Sequence, residues 1–437
     1  MTGLDVRDGA ATADPPSGAP PWDAWVEASC HSVEAAGQWR VPRGFDARGP
    51  EGVLDGPPGP VPADPVVSFA SNDYLGLAIH PAVVAAAHHA LDRWGTGSGA
   101  SRLVTGSRPV HAELEAELAD WKGCASAVVF PTGFAANLSV LSVFGTTGAR
   151  IHSDELNHAS IIDGCRMAGA EVSVYPHGDL VALDRRLAAS AERPVIVSDT
   201  VFSMDGDAAD LAGLLEVAGR HRALLVLDEA HAVLGPDLPP GGSGAGESTG
   251  RRDPASATVL RVGTLSKTLG SLGGFVAGPR RYIELLVNRA RPYIFTTAPT
   301  PADAAAALAA LRVVRSDEGE GLRSRLADRV ARVAGVVGLT GHPSPIVPVV
   351  VGDENAAVAA SQGLLARGLW VPAIRPPTVP PGTSRLRVTL SALHEPGQIE
   401  RLVAGLEEIG GRPAWEFNAR TPRSPSRKPE VRPMNWG

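Results

Sequence analysis

The stretch VLRVGTLSKTLGSLGG, residues 259–274, contains Lys267, one of only three lysines in the chain. An apolar strand pattern precedes this lysine, and glycine, serine and threonine surround it. Small residues let the backbone approach a ligand closely, and burial lowers the pKa of an amine. We therefore interpret Lys267 as an amine that reacts with an aldehyde cofactor. The other lysines lie in a charged helical stretch (Lys122) and in a Pro/Arg-rich tail (Lys428).

Short apolar runs alternate with amphipathic stretches on the N-terminal side of Lys267. The runs are AVVF (127–130), PVIVSD (194–199) and ALLVLDEA (223–230), and helical patterns separate them. Continuous apolar strands separated by helices indicate a mostly parallel sheet that is covered on both faces. The sequence therefore predicts an α/β fold.

Two helices are predicted ahead of this sheet, at residues 80–95 and 108–123. After Pro299, a long Ala/Leu/Arg-rich helix leads into strand patterns at 347–352 and 385–394, which indicates a second, smaller α+β domain. The predicted division is an N-terminal extension and arm (1–65), a large domain (66–299) with a surface loop at 235–253, a small C-terminal domain (300–412) and a disordered tail (413–437).

The composition restricts the class of function. The chain has 437 residues, of which 44% are hydrophobic and 20% charged, and a formal net charge of −7, which argues against nucleic acid as a partner. Cys30, Cys124 and Cys165 are scattered without metal-ligand spacing, which favours a reducing compartment. We find neither a signal-peptide pattern nor an apolar run of membrane-spanning length, so we expect a cytoplasmic protein without membrane partners.

Asp228 and His231 lie at the carboxyl end of a predicted strand, where open α/β sheets bind their ligands. An acid there can keep a pyridine nitrogen protonated, and His231 can donate to the phenolic oxygen of the same ring. An aspartate that caps the next helix and a histidine bonded to a carbonyl are the alternative. The sequence DEAH also suggests a nucleotide-driven motor. However, the nearest candidate phosphate loop, residues 263–268, lacks the required glycine and lies downstream.

The segment FPTGF (130–134) lies where a strand turns into a helix. Backbone N–H groups at a helix N-terminus bind anions, so this segment is a candidate phosphate site, and Thr264 offers a hydroxyl for the same phosphate. An ordinary strand–helix turn is the alternative.

The segment HSDELNH (152–158) has the residue types of a metal site but no further ligands at suitable spacing. We therefore predict no metal and interpret His158 as an imidazole stacked on a flat cofactor ring, with a hydrogen-bonded core histidine as the alternative. The glycine-rich segment 95–102 follows a helix rather than a strand, so we interpret it as a substrate-facing loop and not as a dinucleotide site.

Arg385 and Arg387 alternate with apolar residues, which places both guanidinium groups on one face of a strand. A planar guanidinium suits a substrate carboxylate. A solvated strand face is the alternative interpretation.

Together these motifs resemble those of the α-oxoamine synthases, fold-type I enzymes that use pyridoxal 5'-phosphate (PLP). The resemblance extends from residue 68 to residue 396, and the order of the motifs makes it specific. It implies a fold-type I PLP-dependent transferase with a large PLP-binding domain. It also implies a homodimer, because such enzymes build each active site from two subunits. The matching segments are SFASNDYLGL (68–77), GSGASRLVTGS (97–107), FPTGFAAN (130–137), SDELNHASIIDG (153–164), SDTVFSMDGD (198–207), LDEAH (227–231), TLSKTLGSLGG (264–274) and RLRVTLSALHEP (385–396).

The resemblance implies roles for individual residues. Lys267 forms the covalent link to PLP and Asp228 pairs with the pyridine nitrogen. His231 contacts the phenolic oxygen, and His158 stacks on the ring. Arg387 binds the carboxylate of the amino acid. Further cofactor contacts are implied for Gly133, Phe134, Ser203 and Thr264, and further substrate contacts for Thr378, Asn72 and Arg40.

Within the family, AIRPPTVPPGTSRLRVTLSALH (373–394) is similar to the branch that forms 8-amino-7-oxononanoate for biotin synthesis. That similarity implies decarboxylative condensation of L-alanine with pimeloyl-CoA or a pimeloyl-carrier protein, releasing CO₂ and the free thiol. Two features depart from the family pattern. Ala232 follows DEAH where glycine is usual, and Arg40 is the best candidate for an N-terminal substrate arginine, with Gln38 aligning almost as well.

Other functions are open on the sequence. Another α-oxoamine synthase would use a different amino acid or a longer acyl chain, as 2-amino-3-ketobutyrate ligases and 5-aminolevulinate synthases use other substrates. A PLP aminotransferase would transfer nitrogen without releasing CO₂. A cofactor-binding regulator on this fold normally carries an appended DNA-binding domain, for which we expect the N-terminal extension to be too short.

Overall fold

A computed structural model describes residues 21–55, 65–190, 192–235, 237–238 and 257–409. Its strands are β1 (Phe45–Ala47), β2 (Glu51–Leu54), β3 (Val66–Ser68), β4 (Ser126–Phe130), β5 (Ala149–Asp154), β6 (Glu171–Tyr175), β7 (Arg193–Asp199), β8 (Leu224–Asp228), β9 (Thr258–Thr264), β10 (Gly274–Gly278), β11 (Ile346–Gly352), β12 (Leu369–Trp370), β13 (Ala373–Ile374) and β14 (Ser384–Thr389). Its helices are α1 (Trp22–Ala35), α2 (Pro81–Trp94), α3 (Pro109–Trp121), α4 (Gly133–Phe144), α5 (Ala159–Met167), α6 (Leu180–Ala188), α7 (Leu211–Arg220), α8 (Arg280–Arg289), α9 (Arg291–Ile294), α10 (Pro301–Val314), α11 (Asp317–Val336), α12 (Glu354–Leu365) and α13 (Pro396–Ile409).

A seven-stranded sheet with the order β4-β10-β9-β8-β7-β5-β6 forms the centre of the protein. The neighbours from β9 to β6 pair in parallel, whereas β10 pairs antiparallel with both β9 and β4. The predicted α/β fold with a mostly parallel central sheet is confirmed. The two helices expected ahead of the sheet are α2 and α3.

Alternate residues of the central strands pack on opposite faces of this sheet. Val197 and Val226 belong to one apolar core with residues of α4, α5 and α8. Ile196 and Leu225 belong to a second core with residues of α6 and α7. Because both faces are covered, these strands are apolar at nearly every position rather than at every second one.

The C-terminal part of the chain contains a three-stranded sheet, β11-β14-β13, against which α12 packs. A further sheet, β1-β2-β3-β12, joins the N-terminal segment to this part, since β3 pairs in parallel with β12. This arrangement is the expected smaller α+β unit, and the predicted domain boundaries stay a prediction.

Some predictions concern residues outside the described ranges. The tail at 413–437 lies wholly outside them, and so does most of the loop at 235–253. Among the described helices, none combines the length and apolar character needed to cross a bilayer.

The carboxyl ends of three neighbouring strands meet at one edge of the central sheet. β7 and β8 end side by side, with Asp199 opposite Asp228. β9 ends at Thr264, three residues before Lys267. Parallel pairing therefore brings together polar residues that are far apart in the sequence.

Candidate active site

Asp228 is buried at the end of β8. Its Oδ2 accepts a hydrogen bond of 2.6 Å from Nδ2 of Asn137, and its Oδ1 accepts one of 2.9 Å from the backbone N–H of Ala230. The second bond forms a turn of the kind that aspartate makes with the backbone two residues on. Asp228 thus also shapes the loop that carries His231.

The amine of Lys267 lies 2.8 Å from Nε2 of His231. Burial lowers the pKa of Lys267, although the carboxyl groups of Asp228 and Asp199 oppose the shift. Burial, and then the charges of Lys267 and Arg387, hold the pKa of His231 well below its usual value. His231 is therefore neutral at pH 7, and its Nε2 accepts a hydrogen bond from the lysine.

A chain of hydrogen bonds connects His231 with Arg387. When Nε2 of His231 is the acceptor, Nδ1 carries the proton and donates to Oη of Tyr74, 2.5 Å away. Oη of Tyr74 donates to Oδ1 of Asn72 at 3.1 Å, and Oδ1 of Asn72 also accepts from Nη2 of Arg387 at 3.2 Å. Burial raises the pKa of Tyr74, so its hydroxyl keeps its proton. One network therefore includes the predicted residues Lys267, His231, Asn72 and Arg387.

Arg387 is only 6% exposed. Its Nε donates to the carbonyl of Ser203 at 2.6 Å and its Nη1 to Oγ1 of Thr389 at 2.9 Å. Arg385, on the same face of β14, is also buried and pairs with the carboxylate of Asp205. The alternative of a solvated strand face is thus wrong. In contrast to Arg385, Arg387 forms no ion pair with a carboxylate of the described residues, so its charge is available to a ligand.

His158 is the N-cap of α5, and its Nδ1 accepts a hydrogen bond of 3.2 Å from the backbone N–H of Ser160. The backbone N–H of His158 donates to Oδ2 of Asp199 at 2.8 Å. The residue is exposed at the carboxyl edge of the sheet, so the alternative of a core histidine is wrong. Although the residue as a whole is exposed, neighbouring groups partly desolvate its ring, which lowers the pKa of His158 and favours the neutral form.

Asp199 is a second buried carboxyl group at this edge. Burial, and then the charge of Asp228, raise the pKa of Asp199 well above its usual value. Two carboxyl groups this close do not both ionise readily. Asp199 therefore holds its proton more readily than an exposed aspartate does.

The N-terminus of α4 provides free backbone donors. Thr132 caps the helix by accepting a hydrogen bond of 3.0 Å from the N–H of Ala135. The N–H groups of Gly133 and Phe134 have no acceptor within the described part of the chain. A Cβ on Gly133 would lie 3.3 Å from the Cβ of Thr264, so glycine allows the helix start to approach that threonine. This arrangement is typical of an anion site.

Two predicted substrate residues lie apart from this cluster. Thr378 is exposed, and its backbone N–H donates to the carbonyl of Arg375 at 3.0 Å. Arg40 is exposed and makes no hydrogen bond or ion pair with the other described residues. The segment ahead of Arg40 does approach the Thr378 loop, since Nη1 of Arg375 donates to the carbonyl of Gly37 at 3.1 Å. The substrate roles of Thr378 and Arg40 stay predictions.

Three residues of the site were missed in the sequence. Asp199 ends its strand as Asp228 does, and that position was a usable signal. Tyr74 and Asn137 carried no such signal, because their partners lie 157 and 91 residues away. In the described part of the chain, no group of three or more His, Cys, Asp or Glu residues is placed to hold a metal ion.

The residues present fit PLP. The buried amine of Lys267 suits its aldehyde, and the buried carboxylate of Asp228 suits its pyridine nitrogen. The free N–H groups at the start of α4 suit its phosphate.

Known proteins share both sequence and fold with this chain. A family model described as aminotransferase class I and II matches residues 64–406. The 8-amino-7-oxononanoate synthase of Paraburkholderia xenovorans (strain LB400) is 46% identical over 361 residues, covering 80% of this chain and 90% of that protein. The protein of the same name from Burkholderia cenocepacia is 50% identical over 355 residues, covering 78% and 88%.

Among solved structures, a serine palmitoyltransferase variant from S. paucimobilis with a bound PLP–myriocin aldimine is similar, with a TM-score of 0.78 and 30% identity. The match covers 89% of this chain and 97% of that chain. The chain belongs to the class I and II aminotransferase family and, within it, to the 8-amino-7-oxononanoate synthases.

Proposed function

We propose that this protein condenses L-alanine with a pimeloyl thioester to form 8-amino-7-oxononanoate, CO₂ and the free thiol, with PLP as its cofactor. The observation that carries the proposal is the amine of Lys267. Burial lowers its pKa, and the amine lies 2.8 Å from Nε2 of His231, beside the strand end that bears Asp228. The names of relatives at 46% and 50% identity support the product.

The cofactor would be held by residues from several elements. Lys267 would bind the aldehyde carbon, Asp228 would pair with the pyridine nitrogen, and His158 would pack on the ring. When bound, PLP withdraws electrons from Cα of the amino acid and so stabilises negative charge there. The remaining cofactor contacts would come from Gly133, Phe134, Ser203, Thr264 and His231.

Lys267 is the proposed base. Its lowered pKa increases the fraction of free amine near neutral pH, so Nζ can take the proton from Cα of alanine. Neutral His231 holds Nζ through Nε2 and can stabilise the ammonium that forms. Tyr74 keeps the imidazole in that orientation by accepting from Nδ1.

Arg387 is the proposed site for the carboxylate of alanine. Its guanidinium is buried and hydrogen-bonded to neutral groups, and a carboxylate would supply the missing negative charge. Fixing the carboxylate also orients the bonds at Cα, and therefore determines which of them is cleaved. Asn72 would form a wall of this subsite, with Thr378 and Arg40 on the acyl side.

The proposed reaction balances as follows. The amino group of alanine would first displace Lys267 from the cofactor, and the freed amine then takes the Cα proton. Cα attacks the thioester carbonyl carbon, a C–C bond forms and the C–S bond breaks. The sulfur leaves as a thiolate, which takes one proton from solvent to become the free thiol. The carboxylate of alanine then leaves as CO₂, and the ammonium of Lys267 returns a proton to Cα. Asp228 is buried and Lys267 is half-buried, which limits the access of water to the reacting carbon.

We further propose that the protein is a cytoplasmic homodimer, like other fold-type I enzymes. The acyl group would arrive on coenzyme A or on a carrier protein. Comparing the two donors at equal concentration would identify the carrier.

Mass spectrometry of the product from alanine and pimeloyl-CoA tests the proposal. We expect the mass of 8-amino-7-oxononanoate, with one free thiol and one CO₂ per product. The similarity to serine palmitoyltransferase makes a longer acyl chain the second candidate, so the assay should include palmitoyl-CoA and serine. Faster turnover with that pair would contradict the proposed substrates, and nitrogen transfer to a keto acid without CO₂ release would contradict the reaction.

A further inference from the structure

A short turn at residues 201–208 follows β7 in the chain and contacts the arginines of β14. An isolated bridge between its first and last residues closes the turn. The carbonyl of Ser203 accepts a hydrogen bond of 2.6 Å from Nε of Arg387, and the carboxylate of Asp205 pairs with Arg385. The position of this turn therefore determines the position of the Arg387 guanidinium.

His177 fastens the same turn to the central sheet. Its Nε2 lies 2.8 Å from Oδ2 of Asp207 in the turn, and its Nδ1 lies 3.0 Å from Oδ1 of Asp154 at the end of β5. Asp154 is itself held by two backbone N–H donors. The imidazole also packs edge-on against Phe202, with 4.4 Å between ring centroids. The turn is thus held by His177 as well as by the arginines of β14.

Both ring nitrogens of His177 face carboxylate oxygens, and only a protonated imidazole can donate from both. Burial opposes that protonation, but the hydrogen bonds to Asp154 and Asp207 raise the pKa of His177 to about 10. Among the described residues, the other charged or titratable groups that interact with this cluster are Glu155, Tyr175, Asp199, Asp205, His342 and Arg385.

We propose that His177 is a positioning residue for the amino-acid carboxylate. It clamps the 201–208 turn to the sheet, and the turn holds the Ser203 carbonyl that orients Arg387. This inference rests on the carboxylate role proposed for Arg387. His177 acts on substrate binding only through the turn and touches neither the substrate nor the reacting atoms.

The test uses the PLP-loaded enzyme and the variant His177→Ala. We expect the KM for alanine, and the alanine dissociation constant from the change in cofactor absorbance, to rise roughly tenfold, as for other coupled neighbours. The kcat and the KM for the acyl thioester should stay within about twofold. His221→Ala is the matched control, since His221 also pairs with a carboxylate, Asp184, at 2.9 Å, and it should change none of these values.

The pH dependence of alanine binding separates a positioning role of His177 from a general loss of stability in the variant. With wild-type enzyme, the alanine dissociation constant should rise as the pH approaches 10, because His177 then loses its proton and releases Asp207. In His177→Ala the constant should be high throughout and lack this His177-dependent rise. If the ratio of the alanine dissociation constants of the variant and the wild type does not change with pH, the proposed role of His177 is contradicted.

A double variant distinguishes failure of this inference from failure of the proposed function. In the Arg387→Ala background, His177→Ala should cause no further loss of alanine affinity, because both act on one interaction. If Arg387→Ala itself leaves alanine affinity unchanged, the carboxylate role fails and this inference with it. If Arg387→Ala weakens binding but His177→Ala does not, only this inference is overturned. If His177→Ala does not fold, Asp207→Asn takes its place, and the same changes in the KM and dissociation constant for alanine are expected.

Discussion

Asp228 and Glu229 are consecutive residues, yet their side chains enter two different buried charge clusters. Glu229 is paired with Lys122, whose Nζ lies 2.7 Å from Oε2, and with Arg261, whose Nε lies 2.5 Å from Oε1. Asp228 instead lies near Lys267, which forms no ion pair with the other described residues and has a neutral histidine beside it. Two of the three lysines of the chain thus occupy opposite environments.

The difference between these clusters indicates which one is structural. In the Glu229 cluster each charge has a partner of opposite sign at short distance, so removal of one partner would leave a buried charge undercompensated. In the Asp228 cluster, burial without complete pairing lowers the pKa of Lys267 and raises that of Asp199. Incomplete pairing of buried charges, rather than their number, marks the functional site.

Lys267→Ala should have the largest effect. We expect turnover to fall by roughly 10⁴-fold or more, because no other described amine lies at His231. The melting temperature should stay near that of the wild type, since the amine has no ion pair to lose. Turnover of the purified variant, checked for trace wild-type enzyme, measures this, and retained activity would contradict the assignment.

Lys122→Ala should show the opposite pattern. Removing one partner from a buried pair leaves Glu229 undercompensated, so we expect a loss of about 3–5 kcal/mol in the free energy of unfolding. Turnover per folded enzyme should stay within about twofold. Asp120→Ala, which breaks an exposed pair with Arg315 at the end of the same helix, is the control and should cost below about 1 kcal/mol. Denaturant unfolding compares the two variants.

Arg387→Ala should act on the amino acid alone. A hydrogen bond to a charged group contributes about 1.5–3 kcal/mol, so its loss should raise the KM for alanine roughly 10- to 100-fold. The KM for the acyl thioester should not change, because Arg387 is assigned to the carboxylate of alanine and not to the acyl chain. Steady-state kinetics with each substrate varied in turn would show this, and an unchanged alanine KM would exclude the carboxylate role.

Tyr74→Phe should have the smallest effect. The variant keeps the ring but removes the hydroxyl between His231 and Asn72, which costs about 1 kcal/mol for a neutral hydrogen bond. We expect kcat to fall roughly threefold to tenfold with the fold intact. If kcat is unaffected, the network from Lys267 to Arg387 carries no catalytic role.

The sequence predicted those parts of the molecule that depend on short segments. Continuous apolar runs predicted the parallel sheet, and its strand ends predicted that Asp228 and Lys267 lie at the same edge, where the structure places both. The contact between Tyr74 and His231 spans 157 residues, so only the tertiary fold creates it. The burial of Lys122 was hidden for the same reason, because its partner Glu229 lies on a strand far along the chain. Local patterns also cannot tell a solvated strand face from a covered one, as Arg385 and Arg387 show.

Borohydride reduction of the PLP-loaded protein, followed by peptide mass spectrometry, decides whether Lys267 binds the cofactor. We expect one pyridoxyl adduct per chain, located on Lys267, with Lys122 and Lys428 unmodified. An adduct on another lysine, or none at all, would contradict the assignment of Lys267 and the condensation chemistry that depends on it.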